Sequence, residues 1–524
     1  MSFVFCKKGM PMPELRVHVR THHFVVRDFT LRAEPALNEF ARKFIQFGSQ
    51  RLPNGSYTKI AMRTYAAATK DRREYRFHIN QLAGFKEVLK KHYLTDDRVE
   101  FIKTPIYAPK RVELPVFPKW QPRDQQPDVL AFMNNVPPHP YPPDYTAAKL
   151  VSIQTGKGKS FCEMYSASHY GYRMVMFIKP MYIDKWIEDI KKTYDIDEED
   201  ILVVQGGASL MQTLEDAEND ELKFKVMIVS NKTFQNYIKA YELFRDKITE
   251  HGYAFGPDEF HEKCGIGFRG IDEVHQDYHL NFKIDLYTHC PVSISLSATL
   301  TSYDQFLESV YEIGYPKFVR YDKMEYHKYV SARGLIWGLQ NPEKVKYKNG
   351  GNYSHNVFEQ SILKYKGMTG NYLEMFKRQL DIDFIPDKRD GDRALIFCAS
   401  IDMCTVVTDY LKKQYPNLDV RRYVEKDPYE NAMEPDIIVS TMLSAGTALD
   451  IPNLRFVFMS TCMSSKQGNI QGFGRLRFIA GVTLRFIFLA CESIPKQMAY
   501  YEEKKVLLRD RAEFFRTDYY RAPV

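Results

Sequence analysis

Short apolar runs alternate with helix-like patterns from one end of the chain to the other. Residues 14–20 (ELRVHVR) alternate polar and apolar side chains, which predicts a half-buried strand. Apolar residues between 37 and 45 recur every three or four positions, with Pro35 near their start, and predict an amphipathic helix. The same two patterns then recur as a strand, a helix and a strand, at 75–79, 85–89 and 99–102. Residues 1–115 therefore predict a small α/β domain.

From residue 149 onward the chain carries two series of apolar runs separated by helical patterns. The first lies at 149–153, 174–178, 201–204, 225–229 and 292–296, and the second at 393–397, 437–440, 455–459 and 484–489. Strands that alternate with helices are typical of parallel sheets. Roughly a hundred residues without a regular pattern separate the two series. The sequence predicts an α/β protein with parallel-sheet domains at 116–320 and 321–524.

Composition excludes several classes of protein. The 524 residues are more than one hydrophobic core usually organises, which favours several domains. No stretch approaches the ~18 consecutive apolar residues of a membrane span, and the first residues lack the apolar core of a signal peptide. The eight cysteines are scattered without a Cys-x-x-Cys pair, which argues against a zinc site or a disulfide framework. We therefore expect a cytoplasmic protein, in a bacterial or infected cell, without a membrane partner.

Positive charge is concentrated at the start of the chain. Residues 1–120 contain 23 lysines and arginines against 11 aspartates and glutamates, whereas the remaining residues contain 50 against 55. A basic module beside a nearly neutral body favours a polyanionic partner, and nucleic acid is the first candidate. The alternative is a solvated surface, which would distribute the charge more evenly.

A glycine-rich loop follows the apolar run at 149–153. It consists of Thr155, Gly156, Lys157, Gly158, Lys159 and Ser160. Glycines let backbone N–H groups turn toward a phosphate, Lys159 can neutralise phosphate oxygens, and the Ser160 hydroxyl can hold Mg²⁺. Ile153 stands where the general pattern G-x-x-x-x-G-K-[ST] has its first glycine. The loop predicts a site for ATP and Mg²⁺, with a hydrophilic surface loop as the alternative.

Two adjacent carboxylates lie further along the chain. They belong to Ile271-Asp272-Glu273-Val274-His275, which follows the glycine-rich segment 265–270. Asp272 can anchor Mg²⁺ through water, and Glu273 can orient and deprotonate an attacking water. The alternative is a loop that merely carries two carboxylates. Two later elements extend the series: Ser297-Ala-Thr299 ends an apolar run, and Gln471-Gly-Phe-Gly-Arg475-Leu-Arg477 places two arginines where a second domain can supply fingers.

This ordered set resembles the motifs of superfamily 2 helicases of the DExH type, over residues 122 to about 490. Residues 155–160 resemble motif I, 272–275 (DEVH) the DExH box, 297–299 the Ser-Ala-Thr motif, and 471–477 motif VI. The resemblance implies two RecA-like lobes with ATP in the cleft between them. It implies these catalytic residues: Asp272, Glu273, His275, Gln471, Arg475 and Arg477.

The same resemblance assigns further binding residues. Arg123 and Gln126 resemble the adenine-reading element, and Asp450 lies in a segment similar to motif V. The residues implied to contact a nucleic-acid backbone are Pro180, Ser230, Thr233, Ser400 and Thr441. Trp186 lies in the same part of the first lobe as Pro180.

Two departures from the family pattern concern the second lobe. Motif V usually carries Gly-x-Asp, but Ala448 stands two residues before Asp450. Motif VI usually spaces its arginines three apart, whereas Arg475 and Arg477 are two apart and Phe478 takes the expected place. The geometry of the arginine finger is therefore an open point of the sequence.

The resemblance implies an ATP-dependent DNA helicase or branch-migration motor in replication, recombination or repair. The N-terminal module is similar in layout to that of phage recombination helicases of the UvsW type. The expected partners are single-stranded, forked or branched DNA and other replication or recombination proteins. Three alternatives remain: an RNA helicase, a duplex translocase within a larger machine, and a non-catalytic nucleic-acid scaffold. The presence of Lys159, Asp272 and Glu273 argues against the last.

Overall fold

The computed structural model describes most of the chain. The described residues are 13–52, 56–69, 72–135, 148–154, 156–297, 300–301, 304–322, 327–425, 427–445, 451–522 and 524. Thr155, Ala298, Thr299, Ala448, Asp450 and the proline cluster at 137–143 lie outside them. Within these ranges, every helix is too short or too polar to cross a bilayer.

The chain divides into two compact units. The first consists of Met1–Ile153 and Lys157–Lys323, and the second of Gln154–Gly156 and Met324–Val524. The first unit contains a small N-terminal domain and one large sheet, which we call lobe 1. The second unit contains the other large sheet, lobe 2.

The N-terminal domain is a five-stranded mixed sheet with two helices. Its elements are β1 (Leu15–Val19), β2 (His23–Arg27), α1 (Glu34–Arg42), β3 (Ile45–Arg51), β4 (Tyr57–Thr64), β5 (Ala67–Ala68), β6 (Tyr75–His78), α2 (Leu82–Lys91) and β7 (Val99–Lys103). The sheet has the order β5-β6-β2-β1-β7, with β1 and β7 parallel and the other pairs antiparallel. Strands β3 and β4 form a separate antiparallel pair.

Lobe 1 is a seven-stranded parallel sheet. Its strands are β8 (Lys149–Ser152), β9 (Arg173–Ile178), β10 (Ile201–Val204), β11 (Val226–Ser230), β12 (Ile266–Ile271), β13 (Val292–Ser297) and β14 (Arg320–Tyr321). Its helices are α3 (Gln126–Asn134), α4 (Lys159–Tyr170), α5 (Ile183–Thr193), α6 (Gly207–Glu218), α7 (Asn231–Phe244), α8 (Phe260–Lys263), α9 (Tyr278–Asp285) and α10 (Gln305–Gly314). The strand order is β10-β11-β9-β12-β13-β8-β14.

Lobe 2 is also a seven-stranded parallel sheet. Its strands are β15 (Val330–Trp337), β18 (Arg393–Cys398), β19 (Val420–Tyr423), β20 (Ile437–Thr441), β21 (Leu454–Met459), β22 (Leu484–Cys491) and β23 (Phe514–Tyr520), beside a small hairpin of β16 (Lys348–Asn349) and β17 (Asn352–Tyr353). Its helices are α11 (His355–Ile362), α12 (Lys366–Asp383), α13 (Ile401–Gln414), α14 (Glu430–Met433), α15 (Met442–Ala445), α16 (Lys466–Phe473) and α17 (Pro495–Arg509).

The two lobes have the same topology. Lobe 2 has the strand order β19-β20-β18-β21-β22-β15-β23. If the strands of each large sheet are numbered along the chain from one to seven, both sheets read 3-4-2-5-6-1-7. The duplication is therefore visible in the strand order of the fold. The protein is an α/β protein with two RecA-like parallel-sheet lobes and a small N-terminal α/β domain.

The N-terminal domain shares a hydrophobic core with lobe 1. Buried side chains of both belong to one continuous cluster, in which the ring of Tyr65 lies 5.4 Å from that of Phe282. A buried ion pair joins them as well: Arg76 is 1% exposed and donates from both terminal nitrogens to Asp258, at 2.5 Å from Nη2 to Oδ2. The boundary predicted near residue 115 therefore separates two sheets but not two cores.

Two expectations from the sequence differ from the fold. The segment at 301–390 is not irregular where it is described: it contains α10, the long helix α12 and β15, a central strand of lobe 2. The helix predicted to run to residue 45 ends at Arg42, and Ile45 begins β3, because Phe44 turns back into the core.

Candidate nucleotide site and nucleic-acid surface

The glycine loop connects β8 to the first residue of α4. Gly156 and Gly158 have φ angles of 86° and 79°, which glycine adopts without the penalty that a Cβ imposes. Lys159 is the first residue of the helix, and its Nζ donates to the Ile153 carbonyl at 3.2 Å. The loop thus gathers backbone N–H groups and an ammonium group at the N-terminus of a twelve-residue helix, where an anion is stabilised.

Gln126 packs directly on this loop. Its Oε1 accepts from the backbone N–H of Arg123 at 3.0 Å, and its Nε2 donates to the carbonyl of Lys157 at 3.1 Å. A Cβ on Gly158 would lie 2.4 Å from Gln126 Nε2. The two segments that the sequence paired as adenine-reading and phosphate-binding elements are therefore in contact, and the glycine is needed for that contact.

The acidic pair lies at the same edge of the sheet as the glycine loop. Strand β13 separates β8 from β12, and all three are parallel, so their carboxyl ends share one edge. Asp272 follows β12. Its Oδ2 accepts from the indole Nε1 of Trp186 at 2.8 Å, and its Oδ1 accepts from the backbone N–H of Glu273 at 2.8 Å. Glu273 has a φ of 46°, an uncommon conformation for a residue with a side chain.

His275 connects the acidic pair to the next strand. Its Nδ1 shares a hydrogen bond of 2.8 Å with Ser297 Oγ at the end of β13, and lies 3.3 Å from Glu273 Oε2. Burial and then the charge of Lys159 lower the pKa of His275 to about 3. The imidazole is therefore neutral at neutral pH, so its contact with Glu273 is not an ion pair. The hydroxyl of Ser297 thereby links the DEVH segment to the strand that ends in the Ser-Ala-Thr motif.

A third carboxyl group lies beneath the site. Glu163, on α4, is fully buried, and neither of its oxygens has a hydrogen-bond partner among the described residues. Burial and then the charge of Asp272 hold the pKa of Glu163 well above its usual range. Burial and the neighbouring Glu273 also raise the pKa of Asp272. The site therefore concentrates carboxyl groups that a nearby cation would stabilise in their ionised form.

The donor set fits Mg²⁺ and a nucleotide phosphate. Hard oxygen ligands are available from Ser160 and Asp272, the ligand type that Mg²⁺ prefers. In the part of the chain that the structure describes, Glu273 Oε2 is buried without a hydrogen-bond partner, as expected for an oxygen that orients a water molecule.

The residues of lobe 1 that the sequence resemblance implies as nucleic-acid contacts divide into exposed and buried ones. Pro180 is exposed, and the preceding Lys179 forms an ion pair of 2.9 Å with Asp277. Ser230 and Thr233 are buried. The Ser230 hydroxyl accepts from the Thr233 N–H at the start of α7, and Thr233 Oγ1 accepts from the Gly206 N–H at 2.8 Å. Their side chains therefore hold loops at the sheet edge.

Ser400 and Thr441 in lobe 2 are also buried at element ends. Ser400 Oγ caps α13 by accepting from the Met403 N–H at 3.2 Å, and donates to Glu359 Oε2 at 2.9 Å. Thr441 Oγ1 accepts from the Ser444 N–H at 3.2 Å. These contacts give both hydroxyls a structural role.

The motif VI residues lie on and just after α16. Gln471, on the helix, is half-buried. Arg475 is buried, whereas Arg477 is half-buried and donates from Nη1 to the Gly474 carbonyl at 2.9 Å. The two candidate arginine fingers therefore differ in their exposure.

Two residues of the site were not assigned from the sequence. Trp186 was grouped with the nucleic-acid contacts, but it is 2% exposed and holds Asp272. Glu163 was not singled out at all. Its signal was a charged residue between Cys162 and Met164 on the buried face of α4, where an apolar side chain is expected.

No protein-family model matches the chain, and no curated protein sequence matches it either. Among solved structures, the chain is similar to T4 UvsW, with 13% identity over 97% of this chain and 99% of that one, at a TM-score of 0.34. It is similar to the Pyrococcus furiosus Hef helicase domain, with 15% identity over 73% and 98% and a TM-score of 0.42. It is also similar to S. cerevisiae Dbp5 bound to RNA and ADP BeF3, with 11% identity over 76% and 90% and a TM-score of 0.47. The two RecA-like lobes are defined by the strand order that both large sheets share, and not by these similarities to solved structures.

Proposed function

We propose that the protein is an ATP-hydrolysing nucleic-acid helicase of superfamily 2, of the DExH type. The observation that carries the proposal is that two elements lie at one edge of the lobe 1 sheet. Lys159 begins α4 there, and Asp272 and Glu273 follow β12. A phosphate-binding helix N-terminus beside an acidic pair is the arrangement that phosphoryl transfer to water requires.

Each residue of this edge has a role in the proposal. The glycine loop and Lys159 bind the phosphates, and Ser160 and Asp272 would hold Mg²⁺, which when bound neutralises charge on the phosphate oxygens. Glu273 orients a water molecule and takes its proton at Oε2. Trp186 keeps Asp272 in position through the indole hydrogen bond. Lobe 2 supplies Gln471 and the arginine finger, from Arg475 or Arg477.

We propose DNA as the substrate, in replication, recombination or repair. The basic N-terminal domain supports a nucleic-acid substrate, since polyanion binding gains free energy from each neutralised phosphate, and the comparison of DNA with RNA below decides between the two. Bound backbone would be held mainly through phosphate contacts, so we expect slight sequence preference. The candidate contact on lobe 1 is the segment of Lys179, which is partly buried and paired with Asp277, and the exposed Pro180.

The test is a comparison of ATP turnover without nucleic acid and with single-stranded DNA, forked DNA and RNA. We expect stimulation by DNA above that by RNA. Lys159→Ala should abolish ATP turnover under all four conditions, because the phosphate charge is no longer neutralised. The control is Lys191→Ala, which should leave ATP turnover unchanged, because Lys191 is an exposed residue of α5 that pairs with Glu198. Turnover near the wild-type rate in Lys159→Ala would exclude the site, and stronger stimulation by RNA would replace DNA with RNA as the substrate.

A further inference from the structure

Strands β3 and β4 form a two-stranded ribbon outside the main sheet of the N-terminal domain. We call this pair the basic ribbon. Its strands pair with each other from Ile45 and Thr64 at the base to Arg51 and Tyr57 near the tip. β4 is exposed at seven of its eight positions. An isolated ribbon with both faces in solvent buries too little to be stable alone, so a binding function is the natural reason for its length.

Both faces of the basic ribbon carry exposed apolar side chains. Opposed residues of an antiparallel pair share a face, so Phe47, Tyr57 and Lys59 lie on one face. On that face Lys59 Nζ lies 4.4 Å from the centre of the Phe47 ring. Ile60 and Met62 lie on the other face, where Met62 covers Gly48. Tyr57 and Met62 are 70% and 64% exposed, although such side chains normally avoid water.

The basic ribbon and its flanks carry charge of one sign. Residues 40–70 contain six lysines and arginines and no aspartate or glutamate. Among them Lys43, Lys59 and Arg63 are exposed. Much of the other positive charge of the N-terminal domain is used internally: Arg16 pairs with Glu100, and Arg76 with Asp258. The charge available to a polyanion is therefore concentrated on this ribbon.

The base of the basic ribbon is fixed to the helix that follows the DEVH segment. Tyr65 comes directly after β4, is 1% exposed, and packs against Phe282 of α9. Gln46 Nε2 donates to Asp304 Oδ2 at 2.8 Å. Asp277, just before α9, holds Lys179, the candidate backbone contact of lobe 1. The ribbon thus stands beside the surface that the proposed function assigns to nucleic acid.

We propose that the basic ribbon binds double-stranded DNA in its major groove, next to the strand held by lobe 1. The inference rests on the proposed function and adds the DNA form that this domain selects. Paired strands lie about 4.8 Å apart, and the B-form major groove, about 12 Å wide, admits such a ribbon. The face that carries Phe47 and Tyr57 lies toward the base edges, and the long side chains of Lys43, Lys59 and Arg63 reach the phosphates that border the groove. The major groove of A-form RNA is too narrow to admit it.

The test uses the full-length chain without nucleotide and measures binding to duplex DNA, duplex RNA and single-stranded DNA by fluorescence anisotropy. Phe47→Ala/Tyr57→Ala should weaken duplex DNA binding about ten-fold to 100-fold, because two buried aromatic contacts are lost. It should change binding to duplex RNA and single-stranded DNA by less than about two-fold. Leu31→Ala, which removes another exposed apolar side chain of the same domain, is the matched control and should bind like the wild type.

A charge variant gives an independent readout. Lys59→Ala/Arg63→Ala should reduce the slope of log affinity against log salt on duplex DNA by roughly 1.8, about 0.9 for each lost phosphate contact. Lys90→Ala, an exposed lysine of α2, is the control for charge and should leave the slope unchanged within about 0.3. The aromatic variant should keep the wild-type slope, since it removes no charge.

Three results would overturn the proposal: equal duplex DNA binding by the ribbon variants and their controls, equal losses on duplex DNA and duplex RNA, or equal losses on duplex and single-stranded DNA. Equal duplex DNA binding by the ribbon variants and their controls would indicate that a protein partner, and not DNA, covers the apolar faces of the basic ribbon. Basal ATP turnover of each variant, measured in parallel, separates this outcome from failure of the helicase proposal. A protein that binds duplex DNA through the ribbon but does not hydrolyse ATP would contradict only the latter.

Discussion

At the scale of single residues, the role proposed for Glu273 separates nucleotide binding from hydrolysis. Its backbone N–H is bound to Asp272, whereas its Oε2 has no hydrogen bond within the described residues. Glu273→Gln keeps the size of the side chain and the backbone contact but removes the base. We expect the variant to bind Mg·ATP with an affinity within about three-fold of the wild type and to turn it over at least 100-fold more slowly. Nucleotide binding by calorimetry and single-turnover hydrolysis check the two parts, and loss of binding would show that Glu273 holds the nucleotide.

Glu163 gives a prediction about pH and stability. Its pKa is raised in the folded state by burial and by Asp272, so the folded protein binds this proton more tightly than the unfolded chain. The stabilisation is fully present below the unfolded pKa, about 4.3, and is lost as the pH rises toward the folded value. Glu163→Gln removes this titration. Relative to the wild type, the variant should therefore gain free energy of unfolding between pH 5 and pH 8.

Urea unfolding at the two pH values measures this gain. Glu188→Gln, on the exposed face of α5, is the control and should follow the wild type at both pH values. Parallel pH profiles of Glu163→Gln and the wild type would mean that Glu163 is ionised in the folded protein.

At the scale of elements, the glycines of β12 reflect close packing. Glycine usually weakens a strand, because it has no side chain to pack and costs entropy there. In the fold, a Cβ on Gly270 would lie 2.2 Å from Met176 Sδ and 2.4 Å from Glu163 Oε1. The strand that positions the acidic pair can therefore approach α4 only because this residue has no side chain.

Gly270→Ala should destabilise the protein by about 1–3 kcal/mol, the usual cost of overpacking a core. Chemical unfolding measures the change. Gly207→Ala is the matched control, because it lies at the start of α6 with no atom within 4 Å of the added Cβ, and should stay within about 0.5 kcal/mol of the wild type. Equal stabilities of the two variants would show that α4 can move away from β12 at little cost.

At the scale of the whole molecule, the N-terminal domain and lobe 1 stabilise each other. Burial alone would raise the pKa of Asp258, but Arg76 outweighs it and holds this pKa well below its usual range. The ion pair therefore stabilises the fold above the unfolded pKa of about 3.9, and its contribution falls as the pH drops below that value. Deleting the domain would remove Arg76 and expose Phe282, so point variants of the basic ribbon test binding more cleanly than a truncation.

Asp258→Asn should cost about 3–5 kcal/mol of unfolding free energy, because both terminal nitrogens of the buried Arg76 lose their carboxylate and only Glu74, at Nε, remains as a charged partner. Asp220→Asn, which breaks an exposed ion pair with Lys110, should cost less than about 1 kcal/mol. Urea unfolding at pH 7 compares them. A small effect of Asp258→Asn would mean that Glu74 alone is enough to stabilise the Arg76 charge and that the ion pair with Asp258 contributes little to the stability of the two domains.

Local pattern was enough to predict much of this protein. The strands of lobe 1 and the helices of the N-terminal domain follow from apolar periodicity, since a two-residue or 3.6-residue period is set by the backbone itself. The glycine loop and the DEVH segment were recognisable because phosphate binding and water activation need particular residue types at neighbouring positions. The fold class followed from the alternation of those elements.

Only the tertiary structure decided which distant residues meet. Trp186 holds Asp272 across 86 positions, Gly158 accommodates Gln126, and Glu163 comes to lie under the acidic pair, none of which a local period can encode. The N-terminal domain and lobe 1 share one core, whereas β4 is exposed. Both outcomes depend on which faces pack against another element of the chain. Sequence period shows that a segment has an apolar face, whereas burial depends on the surface that the rest of the chain offers to it.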